Sequence, residues 1–129
     1  ASDVRATHAG EALNHAAQAI GVTIERIGVF PAEGTENALL AVAAARECLT
    51  NLVRHAKGKR LQIHGTEREN AWVIAYQNDG IVPTAPIVEG SGLSALRART
   101  EAAGGVMTVE HAPRFCLTLT LPKERRESK

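Results

Sequence analysis

Apolar and polar positions recur along the chain with two periods, and these periods predict three helices and five strands. Apolar residues spaced three or four positions apart indicate amphipathic helices, whereas short alternating or β-branched runs indicate strands. The clearest strand signal is the run 72–77, which stops at the turn-forming residues Asn78-Asp79-Gly80. In chain order the pattern predicts a helix at about 3–20, a strand at about 22–29, a helix at about 36–56, strands at about 60–65 and 71–78, a helix at about 93–103, and strands at about 105–110 and 114–121.

The last two strands define the expected packing. They flank Ala112-Pro113 and should pair antiparallel, with the alternating apolar residues of 115–121 on one face and Thr118 and Thr120 on the other. Helices that cover one face of a mixed, mostly antiparallel sheet form an α/β two-layer sandwich. We therefore predict that fold class for a single domain spanning residues 1–129.

The helix at 36–56 carries the first candidate chemistry. Glu47, Asn51 and Arg54 share one face because steps of three and four residues return to the same side of a helix. The opposite side is an apolar stripe of Val42, Ala45, Leu49, Leu52, Val53 and Ala56. A carboxylate can position a proton, a carboxamide oxygen can bind a hard cation, and a guanidinium can face phosphate. Taken alone, three polar residues opposite an apolar stripe are more typical of a solvated helix face.

A second candidate lies at the start of the next helix, in the run Gly90-Ser91-Gly92-Leu93. Glycines at a helix N-terminus bring backbone N–H groups and the positive end of the helix dipole to one point, which suits a phosphate chain. The helix should end at Gly104-Gly105. A lone Gly-x-Gly is usually only a flexible turn, so the argument depends on its position after the polar helix face and after Asn78-Asp79-Gly80.

In this order the motifs resemble the ATP-binding catalytic domain of bacterial two-component sensor histidine kinases, within the gyrase, Hsp90, histidine kinase and mismatch-repair ATPase superfamily. The run from Glu47 to Ala56 is similar to that family's N box. Asn78-Asp79-Gly80 resembles its first glycine box and Gly90-Ser91-Gly92-Leu93 its second. The resemblance covers residues from about 35 to 122 and implies the Bergerat-type ATP-binding fold.

The resemblance also implies roles for individual residues. Glu47 would be the catalytic base or the carboxylate that orients the nucleophile, and Asn51 would coordinate Mg²⁺. Asn78 or Asp79 would accept a hydrogen bond from the adenine amino group. The residues that would bind Mg-ATP are Asn51, Arg54, His55, Asn78, Asp79, Gly80, Gly90, Ser91, Gly92, Leu93 and Arg97.

Four features depart from the family's pattern. Asn78 occupies the position of an aspartate, so the acceptor for the base is neutral and weaker. Val82 replaces the second glycine of the first glycine box, and the run 113–116 replaces a Gly-Thr pair before the last strand. The segment 81–89, here called the lid, has only nine residues, so the longer lids of many relatives would not fit.

Composition excludes several other classes. The net charge of +1 gives no reason to expect nucleic acid binding, and no apolar run approaches the length of a membrane span. Cys48 and Cys116 have no metal-binding spacing and should be buried or partly buried thiols. His8 and His15 are not followed by the acidic residue typical of a phosphoacceptor, and His64 and His111 lack metal-ligand partners. Trp72 should anchor the core, and residues from about 123 to 129 should form a polar tail.

The resemblance implies a histidine kinase domain that belongs to a larger kinase. It would bind Mg-ATP and donate the γ-phosphoryl group to a histidine on dimerisation helices outside this chain, and a response regulator would then receive the phosphate. The expected location is the cytoplasm, with no membrane contact by these residues and membrane anchoring of the parent protein left open. Two alternatives remain: a stand-alone serine protein kinase of the anti-sigma-factor type, or a degenerate nucleotide-binding regulatory module.

Overall fold

The computed structural model describes residues 2–123, with side chains from residue 10 onward. The polar tail that the sequence predicts beyond Lys123 and the side chain of His8 lie outside the described part. The elements are α1 (Ser2–Ala19), β1 (Thr23–Gly28), α2 (Glu36–Asn51), a π-helical segment (Leu52–Ala56) that continues α2, β2 (Arg60–Glu67), β3 (Ala71–Asn78), α3 (Ser91–Ala102), β4 (Val106–Glu110) and β5 (Cys116–Pro122). These bounds match the sequence prediction to within two or three residues.

The five strands form one sheet in the order β1-β2-β3-β5-β4. β1 and β2 are parallel, and the other three pairings are antiparallel. The predicted pairing of the last two strands is confirmed, with Met107 opposite Leu119. The sheet is therefore mixed and mostly antiparallel, and the α/β two-layer sandwich predicted from the sequence is confirmed.

One face of the sheet supplies half of the core. Alternate residues of β3 and β5 are buried, since successive side chains of a strand point to opposite faces. Trp72 is one of them, in agreement with its predicted role as a core anchor. The Tyr76 hydroxyl donates a hydrogen bond of 2.7 Å to the carbonyl of Ala41, which ties the sheet to α2. Cys48 is buried as predicted, and this burial raises the pKa of its thiol.

α2 has a defined beginning and an unusual end. Thr35 caps its N-terminus by accepting a 3.1 Å hydrogen bond from the Ala38 N–H. At the C-terminus the helix widens into the π-helical segment and stops at Lys57, which has a left-handed φ of 53°. In a π-turn Leu52 and Ala56 stay aligned toward the core, and Val53 lies about a quarter turn away. Val53 is accordingly 41% exposed, so its predicted place in the apolar stripe was wrong.

No helix among residues 2–123 is both long and apolar enough to cross a membrane.

Candidate functional site

A cleft of about 540 Å³ lies between the C-terminal half of α2, the lid and the start of α3. This volume falls within the range of about 300–1,000 Å³ that small-molecule sites occupy. The polar residues that line the cleft are Glu47, Thr50, Asn51, Arg54, His55 and Ser91. Its apolar lining comes from Ala56, Ile81, Pro83, Pro86, Ile87, Val88, Leu93 and Phe115. A cleft with both linings can hold a flat apolar group and a charged group together.

The helix face predicted from the sequence reaches this cleft. Glu47 and Asn51 project from α2, and Arg54 and His55 follow from the π-helical segment. Because the same turns bury Cys48, Leu49 and Leu52 in the core, the polar face is held at a fixed height above the sheet. The solvated-face alternative fits less well than a site, because all four polar residues line one concave surface.

Gly92 and Glu47 are in direct contact across the cleft. A Cβ atom added to Gly92 would overlap the Glu47 carboxylate, so the approach of the two groups requires glycine. Gly92 lies in the first turn of α3, where N–H groups lack helical partners. The Glu47 side chain and a phosphate-binding type of helix start therefore meet at one place.

The residues that follow β3 connect it to the lid. Asp79 accepts 2.8 Å hydrogen bonds from the N–H groups of Lys59 and Arg60 through one carboxylate oxygen. These backbone hydrogen bonds lower the pKa of Asp79. Gly80 follows with a positive φ of 97°, and a Cβ there would overlap the carbonyl of Ala56. The Asp79 carboxylate holds the end of β3 to the start of β2, and Gly80 lets the start of the lid approach Ala56. Neither residue lines the cleft.

Asn78 is the C-terminal residue of β3, and its side chain is buried. Its side-chain nitrogen donates a 2.7 Å hydrogen bond to the carbonyl of Asp79. Its side-chain oxygen is buried and has no hydrogen-bond partner. Leaving a buried acceptor without a partner typically costs about 1–3 kcal/mol, so a bound donor at this oxygen would be stabilising. Of the two residues predicted to read a base, Asn78 has a buried acceptor without a partner, whereas Asp79 uses one of its two carboxylate oxygens to hold the start of β2. Neither of them is among the residues that line the cleft.

Arg97 occupies a different position from the other predicted site residues. Its guanidinium binds the Glu89 carboxylate, with 3.0 Å between Nε and one oxygen, and donates a 2.7 Å hydrogen bond to the Met107 carbonyl. It is not among the residues that line the cleft. The predicted nucleotide contact of Arg97 stays a prediction, and its present partners favour a role in holding the lid.

Several lining residues were not singled out by the sequence. Thr50 lies one position before Asn51 on α2, and Ile81, Pro86 and Ile87 belong to the lid. Phe115 contributes to both the cleft and the core, although it is far from the motifs in sequence. The position of Thr50 beside the polar helix face is the one signal that could have been noticed. The others enter the site only because the sheet brings β5 and the lid beside α2.

The side chains present fit a nucleotide with its magnesium ion. Among residues whose side chains are described there is no group of three or more His, Cys, Asp and Glu residues that could hold a metal alone. Magnesium, however, is usually held by one or two protein oxygens together with phosphates and water. Asn51 offers such an oxygen, Arg54 offers positive charge complementary to phosphate, and His55 offers an imidazole N–H. The buried oxygen of Asn78 suits an amino group, but Asn78 is not among the residues that line the cleft.

The fold is similar to that of solved histidine kinase structures. The structure resembles histidine kinase AdeS of Acinetobacter baumannii, with a TM-score of 0.67 and 14% identity over 90% of this chain and 64% of that one. It also resembles the histidine kinase domain of a blue-light activated kinase from Erythrobacter litoralis, with a TM-score of 0.66 and 17% identity over 91% of this chain and 64% of that one. The ATP binding domain of PrrB from Mycobacterium tuberculosis gives a TM-score of 0.61 and 19% identity over 88% of this chain and 90% of that one.

A sequence relative points the same way. The signal transduction histidine-protein kinase/phosphatase UhpB of Salmonella typhimurium is 27% identical over 79 residues. The match covers 60% of this chain and 16% of UhpB, so the chain spans only a small part of that relative. No family model matches the chain. The resemblance drawn from the sequence is confirmed at the level of the fold and of similarity to histidine kinases.

Proposed function

We propose that the chain binds Mg-ATP in the cleft and donates its γ-phosphoryl group to a histidine on dimerisation helices outside these residues. The single observation that carries this proposal is the contact of Gly92 with the Glu47 carboxylate in a cleft that also holds Asn51, Arg54 and His55. That arrangement supplies a proton-accepting group, an oxygen ligand for a cation and a charged surface for phosphate at one place. A response regulator would receive the phosphoryl group in turn.

Glu47 would take part in the transfer itself. A nitrogen of the acceptor imidazole forms a bond to the γ-phosphorus while the bond from that phosphorus to the bridging oxygen of ADP breaks. The Glu47 carboxylate orients the imidazole and accepts its N–H proton, and ADP leaves. Phosphoryl transfer depends mainly on positioning and charge stabilisation, which a carboxylate fixed against a helix start can provide.

Asn51 would bind Mg²⁺ through its side-chain oxygen, since that atom is a hard ligand on the face of α2 that lines the cleft. When bound, the ion neutralises charge on the phosphate oxygens. Arg54 and His55 would face the same oxygens from the next turn. The N–H groups at Gly90, Ser91, Gly92 and Leu93 would complete the phosphate site at the α3 N-terminus.

Asn51→Ala is expected to abolish the Mg²⁺ enhancement of nucleotide binding while it changes the free energy of unfolding by less than about 1 kcal/mol. The physical reason is that the carboxamide lies on the cleft side of α2, away from the buried stripe. Calorimetric titration with ADP, with and without Mg²⁺, together with thermal unfolding, measures both quantities. A large loss of stability with an unchanged Mg²⁺ effect would make Asn51 a structural residue instead.

Asn78 would select the base. Its nitrogen already donates to the Asp79 carbonyl, whereas its oxygen has no partner, so the oxygen is the atom proposed to meet the base, and an oxygen requires a donor. Adenine carries an amino group at C6, whereas hypoxanthine carries a carbonyl there. We expect ADP to bind at least about 10-fold more tightly than IDP, since a carbonyl would leave two acceptors face to face. Competition titrations with the two diphosphates test this, and equal affinities would exclude Asn78 as the base-reading residue.

One observation favours the alternative of a degenerate regulatory module. Asn78 and Val82 stand where the family's pattern has Asp and Gly, and a neutral acceptor binds an amino group more weakly than a carboxylate. The kinase proposal expects Mg·ADP or Mg·ATP affinity between micromolar and millimolar, about 4–8 kcal/mol. If no adenine nucleotide at millimolar concentration stabilises the domain against thermal unfolding, the degenerate module is the better account.

A further inference from the structure

Two charged residues on either side of the α3 start form a brace. Glu89 is the last residue of the lid, and Arg97 lies in the middle of α3. The guanidinium binds the Glu89 carboxylate with Nε and Nη2, so two nitrogens face two carboxylate oxygens. A third nitrogen, Nη1, donates a 2.7 Å hydrogen bond to the carbonyl of Met107. We call Glu89, Arg97 and the Met107 carbonyl the lid brace.

The geometry favours a strong interaction. The Glu89 side chain is 23% exposed and that of Arg97 33% exposed, so both are partly withdrawn from water. A bidentate pair of guanidinium and carboxylate fixes orientation as well as distance, unlike most surface ion pairs. Met107 is buried in β4, so the third hydrogen bond links the pair to the rigid sheet.

The brace spans the residues proposed to hold phosphate. Gly90 caps α3 without a side-chain hydrogen bond, and its carbonyl accepts from the Ser94 N–H at 3.0 Å. The α3 start therefore lacks the side-chain cap that Thr35 gives to α2. Glu89 precedes Gly90 directly, so fixing its side chain also fixes where the chain enters α3.

We infer that Glu89 and Arg97 are positioning residues: their brace holds the Gly90–Gly92 turn against Glu47, and Arg97 acts through that turn. The catalytic role of these positioning residues rests on the proposed function. This inference separates Arg97 from the residues that contact nucleotide. It also assigns a role to Glu89, which no sequence motif indicated.

The sign of one substitution distinguishes the brace from direct binding. If Arg97 were a phosphate ligand, Glu89 would compete with phosphate for its guanidinium. Glu89→Gln would then free the guanidinium and tighten nucleotide binding. If the brace positions the turn, Glu89→Gln and Arg97→Gln should both weaken Mg·ADP binding, by about five- to tenfold each. Because each variant breaks the same contact, the double variant should be little worse than either single one.

Amide hydrogen exchange of the nucleotide-free protein provides a second readout. We expect exchange at Ser94, whose N–H closes the first turn of α3, to be about fivefold or more faster in both brace variants. Exchange in β3 should stay as in the wild type, which shows that each variant is folded. Glu69→Gln is the control, since Glu69 is an exposed carboxylate in the turn between β2 and β3. It should leave both readouts within twofold of the wild type.

The outcomes separate the two claims. If the wild type binds no adenine nucleotide, the proposed function fails, while the exchange data still test the brace. Tighter Mg·ADP binding by Glu89→Gln, or unchanged exchange at Ser94 in both variants, would overturn the brace. Weaker binding together with faster local exchange in both variants supports it.

Discussion

Glu47→Gln is expected to lower phosphoryl transfer about 100-fold or more in a longer polypeptide that includes the dimerisation helices. The substitution keeps the shape of the side chain beside Gly92 but removes the proton-accepting carboxylate. Nucleotide affinity should stay close to that of the wild type, because Glu47 is assigned to the nucleophile and not to the nucleotide. Initial rates with γ-labelled ATP, together with ADP titration of the same variant, measure the two effects separately.

Glu36→Gln is a suitable control for that experiment. Glu36 is an exposed carboxylate in the first turn of the same helix, distant along α2 from the cleft. The Glu36→Gln variant should transfer the phosphoryl group at a rate close to that of the wild type. Glu47 would lose its catalytic assignment if Glu47→Gln transferred at the wild-type rate, or if its only defect were loss of ADP binding.

Gly92→Ala should also reduce transfer strongly, by about 100-fold, without unfolding the domain. The added Cβ would overlap the Glu47 carboxylate, and the flexible end of that side chain can move aside. Displacement of a reacting group by about 1 Å can cost that factor. Alanine also has the higher helix propensity, so thermal stability should be equal or slightly raised. The measurement is the transfer rate of the longer polypeptide, set beside its melting temperature.

Gly90→Ala is the matched variant, two residues away in the same motif. A Cβ on Gly90 would meet nothing within 4 Å, and its φ of −83° is open to alanine. Activity close to the wild type is therefore expected for Gly90→Ala. Equal losses in the two variants would mean that the glycines matter for lid flexibility, and the steric account of Gly92 would be wrong.

The sequence predicted what local spacing determines. The polar face of α2 follows from helical periodicity alone, because Glu47, Asn51 and Arg54 lie three and four residues apart. The buried face of β5 follows from strand alternation in the same way. The glycines at the start of α3 could be placed at a helix N-terminus for a similar reason. These features needed no knowledge of which elements pack together.

Contacts between distant segments could not be predicted this way. The pairing of Arg97 with Glu89 depends on how the lid returns to α3, whereas the charge of Arg97 alone favours a phosphate contact. Asp79 was one of two candidates for reading a base, but its carboxylate holds the start of β2. The outward turn of Val53 depends on the π-helical segment, which ordinary helical spacing does not reveal.

We propose that this domain binds ATP and transfers its γ-phosphoryl group to a histidine supplied from outside. The most direct measurement incubates γ-labelled ATP with residues 1–129 alone and with a polypeptide that adds the dimerisation helices, and then treats the products with acid. We expect no phosphoryl label on the domain alone and acid-labile label on the longer chain. The reason is that tethering raises the effective concentration of the acceptor histidine. Acid-stable label on residues 1–129 alone would contradict it and favour the serine kinase.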